Sequence, residues 1–251
     1  MRIPIKDEEA IKRMREAGKV SARVLRDVAQ KVQPGVTTLE LDEYAGERMA
    51  YYGGKSAFLG YHGFPCQICI SLNEVVIHGM ASAHRRLALG DIVSLDVGVA
   101  YEGYIGDNAL TVPAGGCSAE AQELMNVTEA ALYKGIRQAR AGNRVSDISR
   151  AVQEWVESHR CSVVEEFVGH GVGRKLHEEP QVPNFLDGRY SPRLEPGMTI
   201  AIEPMVNFGR PAVKILKDGW TTVTRDGSLS AHFEHTVLIT NNEPEILTCP
   251  D

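Results

Sequence analysis

What this 251-residue chain lacks narrows its class before any motif is read. No apolar run approaches the ~20 residues of a membrane helix, and no charged segment followed by an apolar stretch opens the chain. Neither a membrane span nor a secretory leader is expected. Basic charge is not in excess: 27 Lys and Arg stand against 33 Asp and Glu, a net charge of -6, with a pI near 5.8. A duplex-binding face needs concentrated positive charge, and Arg85-Arg86 is too short to supply it, so no nucleic-acid specificity is expected. Cysteine occurs five times at irregular spacing, which suits reduced thiols and a cytoplasmic location better than a disulfide framework. Cys66 and Cys69 form a C-x-x-C with no second pair to complete a zinc site. Aromatic residues are only 6% of the chain, so a place where they gather is informative. What is plentiful is ordinary: 43% hydrophobic and 24% charged residues describe a soluble globular protein with enough material for one large core or two modest ones.

The elements repeat along the chain. Ile11, Met14, Val20, Val24, Leu25 and Val28 recur at helical spacing between Asp7 and Val32, and Pro34-Gly35 ends the run. Thr37 with Glu40 reads as a capping box for a second helix that stops at Gly53-Gly54. Strands and turns fill residues 66 to 113. The order then recurs: Ser118 caps a helix to about Arg140, Gly142 breaks it, Ser146 caps another to about His159, and strand-like stretches follow. Two helix-helix-strand units, about 5–113 and 118–247, predict an α+β fold duplicated about a pseudo-two-fold axis, with helices on one face of a largely antiparallel sheet. The uncovered face is the expected home of the site.

Five potential metal ligands, Asp96, Asp107, His170, Glu203 and Glu234, sit in stretches that otherwise read as strand or Gly-rich turn. A carboxylate on a half-buried strand loses hydration and needs a cation, a basic side chain or several donors, yet no matching set of Lys or Arg accompanies these acids. Four carboxylates and one imidazole suit Mn, Fe, Co or Zn, singly or as a pair, because carboxylates bridge cations and imidazole is a poor ligand for Ca. That donor set points to metal-assisted hydrolysis. Two of the acids are placed by local register. Leu95, Val97 and Val99 alternate with Ser94, Asp96 and Gly98, and a two-residue turn at Glu102-Gly103 sets Asp107 opposite Gly98, on the same face as Asp96. Asp107 capping a turn after Gly106 is the competing reading. Glu203 alternates with Ile200 and Ile202, Glu234 opens a strand opposite Phe233, Val237 and Ile239, and His170 lies in Gly169-His170-Gly171-Val172-Gly173. Alone, a strand Glu is usually solvated and a single His usually structural, so the argument rests on the set.

The order of these motifs is similar to a known pattern. Asn73-Glu74-Val75-Val76-Ile77-His78-Gly79, Asp96 with Asp107, Gly169 to Gly173, His177-Glu178-Glu179-Pro180, Ile202-Glu203-Pro204 and Glu234-His235-Thr236 closely resemble the type I methionine aminopeptidases, and the match runs from about Ile5 to Leu247. The resemblance implies the pita-bread fold in one catalytic domain, residues 1–251, and two divalent ions drawn from Co, Mn, Fe or Zn. Asp107 and Glu234 would bridge them, Asp96 would complete one site, and His170 with Glu203 the other. A shared hydroxide would attack the first peptide bond, with Glu203 as proton shuttle, His177 stabilising the oxyanion and His78 aligning the substrate backbone.

The family's methionine pocket falls on Phe58, Tyr61, Phe64, Cys69 and Trp220, an aromatic and sulfur-lined set suited to a thioether. Core packing is the competing reading of those residues. Departures from common family members stand at Phe58, where Cys is frequent, Phe64 for Tyr, Leu176 for Phe and Asn108 for Thr. X-Pro peptidases share the fold and ligand types but normally carry an extra N-terminal domain, for which this chain is expected to have no room. His177-Glu178-Glu179-Pro180 does not continue to H-E-x-x-H, which excludes a zincin. A non-catalytic binding protein on this fold would typically have lost ligands. The expectation is a cytoplasmic, monomeric aminopeptidase that removes the initiator methionine from nascent polypeptides when the second residue is small. The ribosome exit region is a candidate neighbour.

Overall fold

Capping places the helices close to where the hydrophobic period puts them. A computed structural model describes residues 3–188 and 190–249. Helix α1 (Glu8–Ala29) starts where Asp7 accepts a hydrogen bond from the amide of Ala10 at 2.9 Å, and it buries Met14, Val20, Val24, Leu25 and Val28. Helix α2 (Thr38–Tyr51) begins with the expected capping box: the Thr37 amide donates to Glu40 at 2.7 Å and the Glu40 amide to the Thr37 hydroxyl at 3.2 Å. Five strands follow, β1 (Lys55–Ser56), β2 (Cys69–Leu72), β3 (Val75–Ile77), β4 (Ile92–Tyr101) and β5 (Tyr104–Pro113). The second half repeats the order with α3 (Ala119–Gln138), capped by Ser118, and α4 (Val145–Ser158). Here the expected cap is displaced. Helix α4 starts before Ser146, whose amide donates to the hydroxyl of distant Ser191, while Asp147 reaches back to the amide of Arg144.

The remaining strands are β6 (Ser162–Val163), β7 (Gly169–Gly171), β8 (Glu178–Val182), β9 (Thr199–Ile202), β10 (Met205–Asn207), β11 (Val213–Ile215), β12 (Thr222–Thr224), β13 (Ser230–His232), β14 (Glu234–Leu238) and β15 (Glu245–Ile246). Nine strands form the main sheet in the order β1-β4-β5-β14-β9-β7-β8, with β2 on β4 and β15 on β14. Its pairs are antiparallel, as expected. Two three-stranded sheets, β13-β10-β6 and β11-β12-β3, flank it. The β5–β14 pair joins strands from the two halves, so the middle of the sheet is made of residues far apart in sequence.

The β4–β5 hairpin has the predicted register. Glu102 and Gly103 both take positive φ, 47° and 80°, as a turn matched to the right-handed strand twist requires. Gly98 consequently faces Asp107, and Asp96 faces Ala109. The polar face of β4 is not open, however. Ser94 and Asp96 are buried, and a side chain on Gly98 would overlap the ring of Phe58. The sequence alternation identified the small polar face; the roof over it comes from segments elsewhere in the chain.

On the other face, α1 and α2 pack against β2 and β4 around Leu41, Met49, Ile68 and Leu95, while α3 and α4 pack around Leu124, Leu132, Ile148 and Ile202. The spacing of α1 from β5 depends on Gly106, where a Cβ would overlap the backbone carbonyl of Ala17. Overpacking of this kind costs about 1–3 kcal/mol, more where backbone must move. Gly106→Ala is therefore expected to lose at least about 2 kcal/mol in urea denaturation; unchanged stability would show that α1 is free to move off the strand.

Candidate metal centre and substrate pocket

Each of the five potential ligands is carried on or beside a different strand of the central sheet. Asp96 lies on β4, Asp107 on β5, Glu234 opens β14, Glu203 follows the last residue of β9, and His170 is the middle residue of β7. Because β4, β5, β14, β9 and β7 are consecutive neighbours in the sheet, side chains directed to one face meet. All five line one cavity. Donor atoms of Asp107, His170 and Glu234 lie within 4.8 Å of one another. His170 Nε2 is 3.4 Å from Glu203 Oε1 and 3.7 Å from Asp107 Oδ2.

The proton inventory of this cluster is decisive. His170 Nδ1 faces the carbonyl oxygen of Gly171 at 2.9 Å, and a carbonyl can only accept, so Nδ1 carries the hydrogen. Burial holds the pKa of His170 down to about 3, which leaves Nε2 as a bare lone pair directed at carboxylates. Asp96 Oδ1, Asp107 Oδ1, Glu203 Oε1 and Glu234 Oε1 are buried without a hydrogen-bond partner. Burial raises the pKa of Asp96 to about 7, and it raises Asp107, Glu203 and Glu234 well above the carboxylate range, with the neighbouring acids adding to each of the three. No Lys or Arg is among the residues lining the cavity. A divalent cation fits this donor set on every count: it would satisfy orphaned acceptors, offset like charges and use the imidazole lone pair.

The cavity beside the cluster measures about 200 Å³. Phe58, Tyr61, Phe64, Cys69 and Trp220 all line it, as do His78 and His177. Cys69 connects the two parts, since it pairs with Asp96 across β2 and β4 and lines the same cavity. Trp220 meets Phe64 edge to face at 5.1 Å and His78 at 6.0 Å. His78 has φ 59°, a conformation uncommon for a side-chain-bearing residue and one that clusters at functional sites. Burial and the nearby His177 hold its pKa to about 4, so it is a neutral imidazole at neutral pH. His177 is exposed at the rim, its Nδ1 2.6 Å from the Tyr61 hydroxyl and its ring 4.2 Å from that of His170.

Sequence reasoning overlooked part of this wall. Phe167 lines the cavity and meets the His78 ring at 5.4 Å, and Val168 and Ile77 join it. The available signal was an aromatic three residues before His170 in a chain poor in aromatics.

An apolar pocket beside a buried carboxylate and histidine cluster defines a metal-dependent hydrolase in physical terms. Residues 12–241 match metallopeptidase family M24. The methionine aminopeptidase of Clostridium perfringens is 50% identical over 246 residues, covering 98% of each chain. A crystal structure of methionine aminopeptidase from Thermotoga maritima superimposes with a TM-score of 0.96 at 44% identity, covering 98% of this chain and 99% of that one. Prolidase from Pyrococcus furiosus shares the fold, with a TM-score of 0.80 at 22% identity over 98% of this chain and 66% of its own. The chain belongs to metallopeptidase family M24 and, within it, to the methionine aminopeptidase family. It has the pita-bread fold of that family and uses divalent metal.

The raised carboxylates predict an unusual stability profile. In the unfolded chain Asp and Glu ionise near pH ~4, so above that pH the folded state without metal retains protons the unfolded state has lost, and stability falls as pH rises through the folded values. The buried histidines act oppositely: His78 and His235 at about 4 and His170 and His232 at about 3 cost stability only below about pH 6.5, where unfolded histidine protonates. Above about pH 7, where the unfolded histidines are neutral, the raised Asp107, Glu203 and Glu234 dominate. The Tm of chelated protein is expected to fall across that range and saturating Mn to flatten the slope; parallel profiles would mean the acids do not hold the ion.

Proposed function

We propose that this chain removes the N-terminal methionine from proteins whose second residue is small. The observation that carries the reading is the meeting of the carboxylate cluster and an aromatic pocket of single-side-chain size in one cavity, with Cys69 beside Asp96 across β2 and β4 at their junction. A thioether is polarisable and unbranched, and favours aromatic and sulfur neighbours. The family relationship supports the same substrate.

Asp96, Asp107, His170, Glu203 and Glu234 would hold two divalent ions between them. Bound there, such ions supply Lewis acidity, lowering the pKa of water and polarising a carbonyl. The protein's own groups do the rest. Glu203 accepts the proton of the attacking water and returns one to the leaving amine. His177, at the rim, donates to the oxygen on which charge develops. His78, neutral and held against Phe167 and Trp220, aligns the substrate backbone. Phe58, Tyr61, Phe64, Cys69 and Trp220 receive the methionine side chain and exclude water from it.

Residues 1–251 are read as one catalytic domain of two repeats, about 5–113 and 118–247. Co, Mn, Fe and Zn all suit the ligands, and availability decides which is used. No helix of the described residues is long and apolar enough to cross a membrane. We take the protein to act in the cytoplasm as a monomer, on nascent chains near the ribosome exit region.

Chelated protein resupplied with Mn, Co or Fe is expected to release methionine from Met-Ala-Ser and Met-Pro-containing peptides and to leave an Ala-Pro peptide intact. Cleavage of Ala-Pro alone would favour an X-Pro peptidase, and silence with every metal a binding protein. Glu203→Ala is expected to keep the fold by circular dichroism and lose at least about a hundredfold in turnover, the usual scale for a general base; near-normal turnover would refute the shuttle role.

A further inference from the structure

The hydrogen bond between Tyr61 and His177 links residues 116 positions apart, one from each half of the chain, at the mouth of the cavity. Its O···N distance of 2.6 Å is at the short end for a hydroxyl donor. Both partners are held from behind. Tyr61 opens a single 3-10 turn, Tyr61–Gly63, and the loop closes on itself: the amide of Tyr61 donates to the carbonyl of Phe58, that of Gly60 to Phe64, and that of Phe64 to Tyr61. Its ring stacks edge to face with His62 at 4.4 Å. On the other side, Glu178, the next residue after His177, is fixed by the Lys6 ammonium at 2.8 Å and by the amide of Lys175 at 3.2 Å. The His177 ring itself packs on that of His170.

A neutral imidazole has one N–H and one lone pair, and the nitrogen engaged at Nδ1 determines what Nε2 can do. A tyrosine hydroxyl is able to donate or accept, so two arrangements fit the distance. If Nδ1–H donated to the phenol, a lone pair would occupy Nε2 and would repel negative charge gathering on a substrate oxygen. If the phenol donates, the hydrogen sits on Nε2, where an oxyanion can use it.

We propose that Tyr61 is a positioning residue for His177: its hydroxyl donates to Nδ1, holding the ring as the Nε2–H tautomer and aiming that hydrogen at the reacting carbonyl oxygen. The inference rests on the role of His177 given above and assigns Tyr61 a function separate from walling the methionine pocket. Pocket shape depends on the ring, whereas tautomer control depends on the hydroxyl. Tyr61→Phe separates them.

Zinc-loaded protein labelled with 15N-histidine reports the ring nitrogens of His177 directly, the signal being assigned with His177→Ala. The wild type is expected to show a protonated Nε2 and an unprotonated Nδ1, and Tyr61→Phe a mixture of tautomers. Turnover of a methionyl peptide by Tyr61→Phe is expected to fall about three- to tenfold in kcat with KM little changed, the scale of one intramolecular hydrogen bond. In a His177→Ala background the same substitution is expected to have no further effect. A protonated Nδ1 in the wild type, an unchanged spectrum in Tyr61→Phe, a loss confined to KM, or a full additional loss in the double variant would each overturn the proposal. The wild-type spectrum decides the direction of the bond even if the variant folds poorly. Wild-type protein silent toward methionyl peptides would count against the proposed function, and the spectrum would still decide the tautomer.

Discussion

Like charges crowded out of water are the constraint on which the rest of this molecule depends. Asp96, Asp107, Glu203 and Glu234 are buried, each has an oxygen with no hydrogen-bond partner, and the lone pair of His170 faces into the same space. Such a cluster is stable only with protons or with cations. A divalent ion is the chemically productive choice, since it satisfies the same acceptors and keeps the carboxylates ionised for catalysis.

That constraint explains features of the fold that packing alone does not require. Five adjacent antiparallel strands contribute the donors, so the geometry of the cluster is set by backbone ladders rather than by loops. Small residues maintain the clearances: Gly98 leaves room for the Phe58 ring above β4, and Gly106 lets α1 lie against the back of β5, next to Asp107. Hydrophobic cores under the two helix pairs hold the sheet from behind. The pocket in front is roofed by side chains from both halves, with Tyr61 and His177 joined across its mouth.

Legibility in the sequence followed contact distance along the chain. The facing of Asp96 and Asp107 was readable because a two-residue turn at Glu102-Gly103 fixes the register over a few residues. The caps at Thr37 and Ser118 were readable for the same reason. The start of α4 was not, because Ser146 is engaged by Ser191, 45 residues away. The meeting of His170, Glu203 and Glu234 with the hairpin acids depends on the β14–β5, β14–β9 and β7–β9 pairings. No local pattern encodes those partners; donor chemistry marked them as a set, and the resemblance of ordered motifs supplied how they meet. Phe167 escaped notice because an aromatic beside a strand looks the same whether it faces a core or a cavity.

Alternation, turn chemistry and capping residues determined the elements, the hairpin register and the chemical type of the donors, because each acts between neighbours in the chain. Tertiary structure alone decided that the polar face of β4 is roofed, that His170 presents Nε2 rather than Nδ1, and that Tyr61 reaches His177. Those outcomes depend on where remote backbone carbonyls, rings and hydroxyls come to rest. That placement is set by the packing of two halves against a shared sheet, which no short stretch of sequence contains.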